Sequence, residues 1–489
     1  MLRTEKSLKL NMLLNAIKNL MAVVFPLITF SYVSKTLGVE SLGQYNFAVS
    51  VISYITLLAG LGIETYAIRE GAKYRDDKEK FSKFASQIFS INIVTTLFSY
   101  LVLAVLLISV SKFHDYTTLL LVLATQVIFT TLGVNWIFSI YEEFAYITIR
   151  SILFQVLAII AIFIFVKTPE DLVLYCGINA GVIIFSNVIN FFVAFKYCKL
   201  KITFNLSLKT HLKPILILFV TIASITLYTS SGTVILGFIS GDYAVGIYTV
   251  SYKIYAIIKQ VLFSAIVVSI PRMAMLLGNQ KKEEANQVSS EILATTISIV
   301  VPAVVGCIVL ANEIIVLISD VSYVSAVAPH IILTVAILFS MGGYFWGHAV
   351  LIPAKEENFY LVVTIVSAVV NVGLNLVLIP FLDVEAAAIA TLLAEIVAFL
   401  MCYFKGRKHV KTSGTIKTII KSSIASLIII PIVLVSKYLL SNMVLYVVVS
   451  IAVSVISYFT LSILLKNNAV ISLFTAVINR FKKKPKENN

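Results

Sequence analysis

An all-α integral membrane protein is the fold class that three observations predict. The chain of 489 residues is 59% hydrophobic and only 13% charged, far more apolar than a soluble domain. Its apolar residues fall into runs long enough to cross a bilayer as helices. Its Lys and Arg residues collect in alternate connections, as the positive-inside rule requires.

Taken in order, fourteen runs have spanning length: 11–34, 44–68, 85–110, 117–140, 146–166, 172–195, 214–238, 244–271, 288–311, 323–352, 359–380, 384–403, 416–438 and 442–465. The first is full length and has no small-residue cleavage site after it, so it is expected to stay as the first spanning helix rather than leave as a signal peptide. With N- and C-termini inside, 31 of the 38 Lys and Arg residues lie in inner connections and tails. Only Lys35, Lys112, Lys167 and Lys437 lie outside, and Lys18, Lys253 and Lys259 fall within the membrane. The formal charge of +14 is thereby explained without nucleic acid, which is not an expected partner. No outer connection is long enough to fold as a catalytic domain, so the work is expected to occur among the helices. Cys176, Cys198, Cys307 and Cys402 have neither metal-ligand nor pairing spacing and read as small packing residues. No cofactor and no metal is expected.

A repeat divides the chain. Leu37-Gly38-Val39-Glu40-Ser41-Leu42-Gly43-Gln44-Tyr45 returns as Ser240-Gly241-Asp242-Tyr243-Ala244-Val245-Gly246-Ile247-Tyr248, and the same offset of 203 sets Arg69 on Arg272. Glu142-Glu143-Phe144-Ala145-Tyr146 likewise matches Glu356-Glu357-Asn358-Phe359-Tyr360. The expected architecture is about 14 transmembrane helices, with two pseudo-symmetric six-helix lobes around a central cavity (1–212 and 213–404), then two C-terminal helices and a basic tail (405–489).

The run Gly246 to Arg272 is the richest in chemistry. A charge inside a membrane helix is expensive and usually functional, and this run holds Lys253 and Lys259. Thr249, Lys253, Gln260 and Ser264 share one helical stripe, and Tyr248, Tyr252, Tyr255 and Lys259 share another. Snorkelling to the headgroups is the plain alternative for the lysines, but it leaves the tyrosine and glutamine neighbours unexplained. Helix 1 adds Asn11, Asn15, Lys18 and Thr29 on one face, and helix 7 adds Thr221, Ser224, Tyr228 and Ser231. Such a lumen suits an anionic, hydroxyl-rich ligand: lysine offers a point charge to phosphate, and tyrosine faces stack on sugar rings. The candidate substrate-binding set is Lys18, Lys253, Lys259, Tyr252, Tyr255, Gln260 and Asn15. Two acids within the runs, Glu64 and Glu395, could each hold a coupling H+ or Na+, or neutralise a lysine. Pro26, Pro271, Pro302 and Pro380 are candidate bends or helix ends.

Several of these residues form a pattern that resembles the Wzx-type oligosaccharide flippases, in the superfamily that also holds the MATE exporters and the lipid II flippases. The resemblance covers nearly the whole chain. It rests on Leu37-Gly38, Gly43, Tyr45, Gly62 and Ala67-Ile68-Arg69-Glu70; on Trp136, Glu142, Phe144 and Tyr146-Ile147-Thr148; and most specifically on Asn371, Leu374-Asn375, Leu378-Ile379-Pro380, Ala387-Ala388-Ile389-Ala390-Thr391 and Glu395. Ser139 and Ile140 stand where Gln and Gly are frequent, and Asp383 and Glu385 replace small or glycine residues. The resemblance implies a non-enzymatic carrier of a bacterial cytoplasmic (inner) membrane. Its cargo would be a polyprenyl-diphosphate-linked oligosaccharide, a repeat unit of O-antigen, capsule or another surface polysaccharide, moved to the outer leaflet by alternating access with ion coupling. The polysaccharide polymerase machinery is the implied protein partner. A MATE-like exporter of organic cations would favour cavity acids over the three lysines, and a membrane polymerase would need a larger outer loop.

Overall fold

The computed structural model describes residues 8–472, 474 and 475, with side chains described at Phe25 and from residue 27 onward except Ala265. Every regular element among the described residues is helical. Contacts divide the chain into two compact units, Met1–Thr249 and Val250–Asn489.

The first unit contains α1 (Leu8–Gly60), α2 (Ile63–Gly71), α3 (Lys78–Ser109), α4 (Thr117–Leu132), α5 (Asn135–Ile140), α6 (Phe144–Phe165), α7 (Leu172–Ala194) and α8 (Leu208–Ser240). It also contains the start of α9 (Asp242–Val267). α1 is its spine and packs on α3, α4, α6 and α8, while α4 lies along α7. An aromatic core of Tyr66, Phe81, Phe84, Trp136 and Phe138 ties α2, α3 and α5 together, with Cys198 buried among them. The second unit continues from α9 with α10 (Ile270–Gly278), α11 (Lys282–Val309), α12 (Ala311–Ile318), α13 (Val327–Tyr344), α14 (Glu357–Gly406), α15 (Thr415–Ser426), α16 (Ile429–Leu439) and α17 (Met443–Leu464). α13 runs into a π-helical stretch, Phe345–Leu351, and packs along α14; α11 carries α15, and α16 pairs with α17.

Ten helical segments among the described residues are long and apolar enough to cross a membrane. The chain is a multi-pass membrane protein, and fourteen is an approximate count of its spans. That count covers the described residues alone, and most side chains of the first run, 11–34, lie outside them. α1 holds two apolar runs on either side of Gly38, and α14 holds two on either side of Asp383. α4 has only 16 residues, and α9 includes Ala265, which lies outside the described side chains.

The two breaks differ in strain. Gly38 has φ 76°, a conformation that costs glycine little because it lacks a Cβ. Asp383 has φ 50° and ψ −123°, which for a residue with a side chain costs on the order of 1–3 kcal/mol.

The offset of 203 is realised in the backbone. Gly241, the counterpart of Gly38, has φ 86° and ψ −171°, against φ 76° and ψ 179° at Gly38. A Cβ on Gly43 would strike the Asp242 carbonyl oxygen, and one on its counterpart Gly246 would strike the Val39 carbonyl oxygen. Since 242 is the counterpart of 39, the contact maps onto itself under the repeat, as an isologous contact does. The second half of α1 and the start of α9 thus meet backbone to backbone within the first unit.

Candidate functional site

Within the second unit, helical spacing alone sets Tyr255, Lys259 and Phe263 on one face of α9, each four residues from the next. The Lys259 ammonium sits 5.2 Å from the Tyr255 ring centroid and 5.3 Å from that of Phe263. It is therefore held between two π faces that favour a cation. Its ionic partner comes from α14, on the C-terminal side of the Asp383 break. Lys259 Nζ lies 2.5 Å from Glu395 Oε1, and the side chains are only 20% and 9% exposed. The buried Tyr255 hydroxyl donates to the same carboxylate oxygen at 2.8 Å and accepts from Lys259 Nζ at 3.1 Å. A carboxylate and an ammonium that would each be costly alone in an apolar helix bundle are neutralised and hydrogen-bonded together.

An aromatic column continues from this triad. Phe263 stacks on Tyr344 with centroids 3.9 Å apart, and Tyr344 stacks on His348 at 4.2 Å. His348 Nε2 and the Tyr360 hydroxyl are 3.0 Å apart. The π-helical stretch helps to set this column, because it contains His348 and brings Gly347 against the Tyr360 ring so closely that a Cβ would overlap it. One turn up α14 from Glu395, Thr391 accepts from Asn371 Nδ2 at 3.5 Å, and Asn375 Nδ2 donates to the Asn371 carbonyl at 2.9 Å.

Of the residues singled out in the sequence, the structure brings Tyr255, Lys259 and Glu395 together. Tyr252 lies beside them, its ring 5.7 Å from that of Tyr255. Lys253 is half-buried on α9 and Gln260 is exposed. Asn15 and Lys18 lie in the helical backbone of α1, but their side chains fall outside the described residues.

Glu64 belongs to the first unit, in the first turn of α2. There it lines a cavity of about 540 Å³ with Asn92, Gln126, Thr130, Asn135 and Ser230. α8 contributes Thr226, Thr229 and Ser230 to that cavity, whereas Ser224 and Ser231 of the expected stripe are buried. Asn135 leads from the cavity wall into a polar network that sequence reasoning missed. It accepts from Asn190 at 2.6 Å and from Arg150 at 3.3 Å, and Tyr146 donates to Asn190 at 3.0 Å. Arg150 was counted with the inner connections, yet its Nε and Nη1 are buried without a hydrogen bond and its guanidinium packs over Tyr146. The only sequence signal was a lone cation near the start of an apolar run. The column of Phe263, Tyr344, His348 and Tyr360 was also missed; of these only Phe263, four residues after Lys259, was within reach of helical spacing. Among the described residues no cluster of three His, Cys, Asp or Glu could hold a metal ion.

Comparison with known proteins places this geometry in context. Residues 8–277 match the family described as polysaccharide biosynthesis protein. A relative from Escherichia coli (strain K12) bearing the name "Putative O-antigen transporter" is 26% identical over 243 residues, 49% of this chain and 58% of that protein. This chain therefore spans little more than half the length of that relative. The capsular polysaccharide biosynthesis protein CapF of Staphylococcus aureus is 24% identical over 376 residues, 75% of this chain and 90% of CapF. Among solved structures, the lipid II flippase MurJ in an inward closed conformation superposes with a TM-score of 0.74 at 17% identity, covering 93% of this chain and 99% of that one. An inward-facing MATE multidrug transporter of the MOP superfamily gives 0.60 at 17% identity, with 81% and 97% covered. At such identities the likeness is one of fold.

Proposed function

Because the chain belongs to the polysaccharide biosynthesis protein family, we propose that it is a flippase that carries a polyprenyl-diphosphate-linked oligosaccharide from the cytoplasmic to the outer leaflet by alternating access. The observation that carries this reading is the ion pair of Lys259 and Glu395 inside membrane-spanning helices, bridged by Tyr255. A lysine already matched to a carboxylate is poised to exchange partners. In our reading the diphosphate displaces Glu395 from Lys259, because a phosphate oxygen offers the same charge-assisted contact with more negative charge. Glu395, deprived of its cation in an apolar surrounding, then takes up a proton or another small cation. Loss of that ion restores the internal pair and expels the anion. Binding of cargo and coupling ion are thus linked through one lysine, and the role is transport rather than catalysis. Tyr252 and the aromatic column suit the apolar faces of sugar rings. Lys18, Lys253, Asn15 and Gln260 remain our proposed further contacts, and Glu64 our second coupling candidate.

The test is cellular. Removal of the protein should trap lipid-linked oligosaccharide on the cytoplasmic leaflet, and Lys259→Ala supplied in its place should leave it trapped at normal expression. Accumulation of an organic cation instead would make the protein an exporter, and polymer-length defects with normal translocation would make it part of the polymerase.

A further inference from the structure

A second cavity, unrelated to the buried ion pair, lies at the helix ends where the basic connections gather. It has a volume of about 810 Å³ and is enclosed by the start of α10, the first half of α11, the start of α15 and the turn after α17. Four cations line it: Arg272, Lys417, Lys421 and Lys466. Glu291 is the single acid in its wall among the described residues, and that carboxylate accepts from Gln287 at 3.0 Å.

Some inner-end cations of the chain have a carboxylate partner and others do not. Lys73 is paired with Glu70, Arg75 with Glu142, Lys281 with Glu284 and Lys405 with Glu356. Among the described residues, Arg272, Lys417, Lys421 and Lys466 make no ion pair. The repeat sharpens the contrast, since Arg69, the counterpart of Arg272, pairs with Glu70 whereas Arg272 is followed by Met273. The positive-inside rule accounts for the number of cations but not for the gathering of four of them around one cavity against the one carboxylate of Glu291 among the described residues.

The wall is built rather than accidental. Lys421 Nζ donates to the Lys466 carbonyl at 2.7 Å, tying α15 to the end of α17. The backbone N–H of Ser413 donates to Ser290 at 3.0 Å and that of Lys411 to Asn286 at 2.7 Å, pinning the segment before α15 to α11. α15 begins at Gly414 with no side-chain cap, so its first N–H groups add to the positive potential. Around the cavity the surface is apolar: Ile416, Ile420 and Leu464 are 73%, 52% and 70% exposed. Cations set beside lipid-facing side chains fit an amphiphile better than a soluble ion.

We propose that this cavity binds the phosphate headgroup of an anionic phospholipid, whose tails lie on the apolar surface of α15 and α17, and that the lipid clamps these C-terminal helices to α10 and α11. The test uses the full chain purified in detergent and titrated with phosphatidylglycerol, phosphatidylcholine or sodium phosphate, with bound lipid counted by native mass spectrometry and melting followed in parallel. Phosphatidylglycerol should be retained over phosphatidylcholine and raise the melting temperature, and each cation removed should weaken retention about fivefold. Arg272→Gln with Lys417→Gln and Lys421→Gln should abolish the preference, while Lys281→Gln with Lys282→Gln leaves it intact. If the triple variant does not fold, Lys417→Gln alone carries the test by its fivefold loss. Unchanged phosphatidylglycerol retention in a folded pocket variant overturns the proposal. So does sodium phosphate that protects equally well and displaces the lipid, an outcome that would assign the cavity to a soluble anion.

Discussion

The pair of Lys259 and Glu395 can be measured directly by a double-mutant cycle. Breaking a buried ion pair by removing one partner costs about 3–5 kcal/mol, because the other charge is left uncompensated. Here the loss should be smaller. After Glu395→Leu, Lys259 keeps the Tyr255 hydroxyl at 3.1 Å and ring faces at 5.2 and 5.3 Å. Cation–π contacts of that kind are worth about 0.5–2 kcal/mol, so we expect a net destabilisation of about 2 kcal/mol. After Lys259→Met, Glu395 keeps the Tyr255 donor and becomes neutral by taking a proton, and about 2 kcal/mol is again expected. Replacing both by apolar residues, Lys259→Met with Glu395→Leu, removes the charge problem and should cost only about 1 kcal/mol, a coupling of about 3 kcal/mol. The assay is reversible unfolding in mixed micelles, with translocation of lipid-linked oligosaccharide measured on the same variants. The double variant should regain stability without regaining transport, which separates packing from function. Additive destabilisation, within about 0.5 kcal/mol, would refute the pairing, and restored transport would refute its role in the carrier cycle.

Other outcomes follow from single features. Gly43→Ala and Gly246→Ala should each destabilise by about 1–3 kcal/mol, since the added Cβ meets a carbonyl oxygen in both cases, and thermal melts will show it. Hydrogen bonding from Lys405 holds the Glu356 carboxyl below its ordinary value, so this pair stabilises the fold above the unfolded carboxylate range and is lost as pH falls through the lower folded value. Glu356→Gln should therefore flatten the acid side of a stability–pH curve while leaving the neutral side low and level. Lys253→Ala and Lys18→Ala should impair translocation at normal expression, whereas Lys281→Ala, paired only with exposed Glu284, should be silent. Reporter fusions after Asp115, Asp171, Asp242, Asp320, Asp383 and Lys437 should read external and those after Lys78, Lys201, Lys281 and Lys408 internal; one clear reversal breaks the topology.

What could be read in advance depended on how local the cause was. Spanning runs are local, because length and hydropathy over about 20 residues decide them, and the helices follow those runs. Their interruptions were legible too: Gly38 announces itself as a residue tolerant of positive φ, and the break at Asp383 falls between the expected runs 359–380 and 384–403. The face shared by Tyr255 and Lys259 follows from a spacing of four. Its partner Glu395 lies 136 residues away, and no helical period carries across that distance. The same limit hid Asn135, Asn187 and Asn190 from Arg150, since an amide reads as an ordinary polar residue until a neighbour needs it. Only the repeat reached farther. In the structure Gly43 lies against Asp242, the counterpart of Val39, and Gly246 against Val39 itself, a long-range contact between the two nonapeptides that the offset of 203 pairs. Symmetry supplies that information because one sequence motif has to satisfy both sides of its own interface. The Lys259 site has no such help: at the same offset the counterpart of Lys259 is Thr56, a residue that lines the first unit's cavity and bonds its own backbone at 2.9 Å. The charge chemistry of α9 therefore belongs to the second repeat, where a lysine paired with a carboxylate stands at the position that a threonine on a polar wall holds in the first.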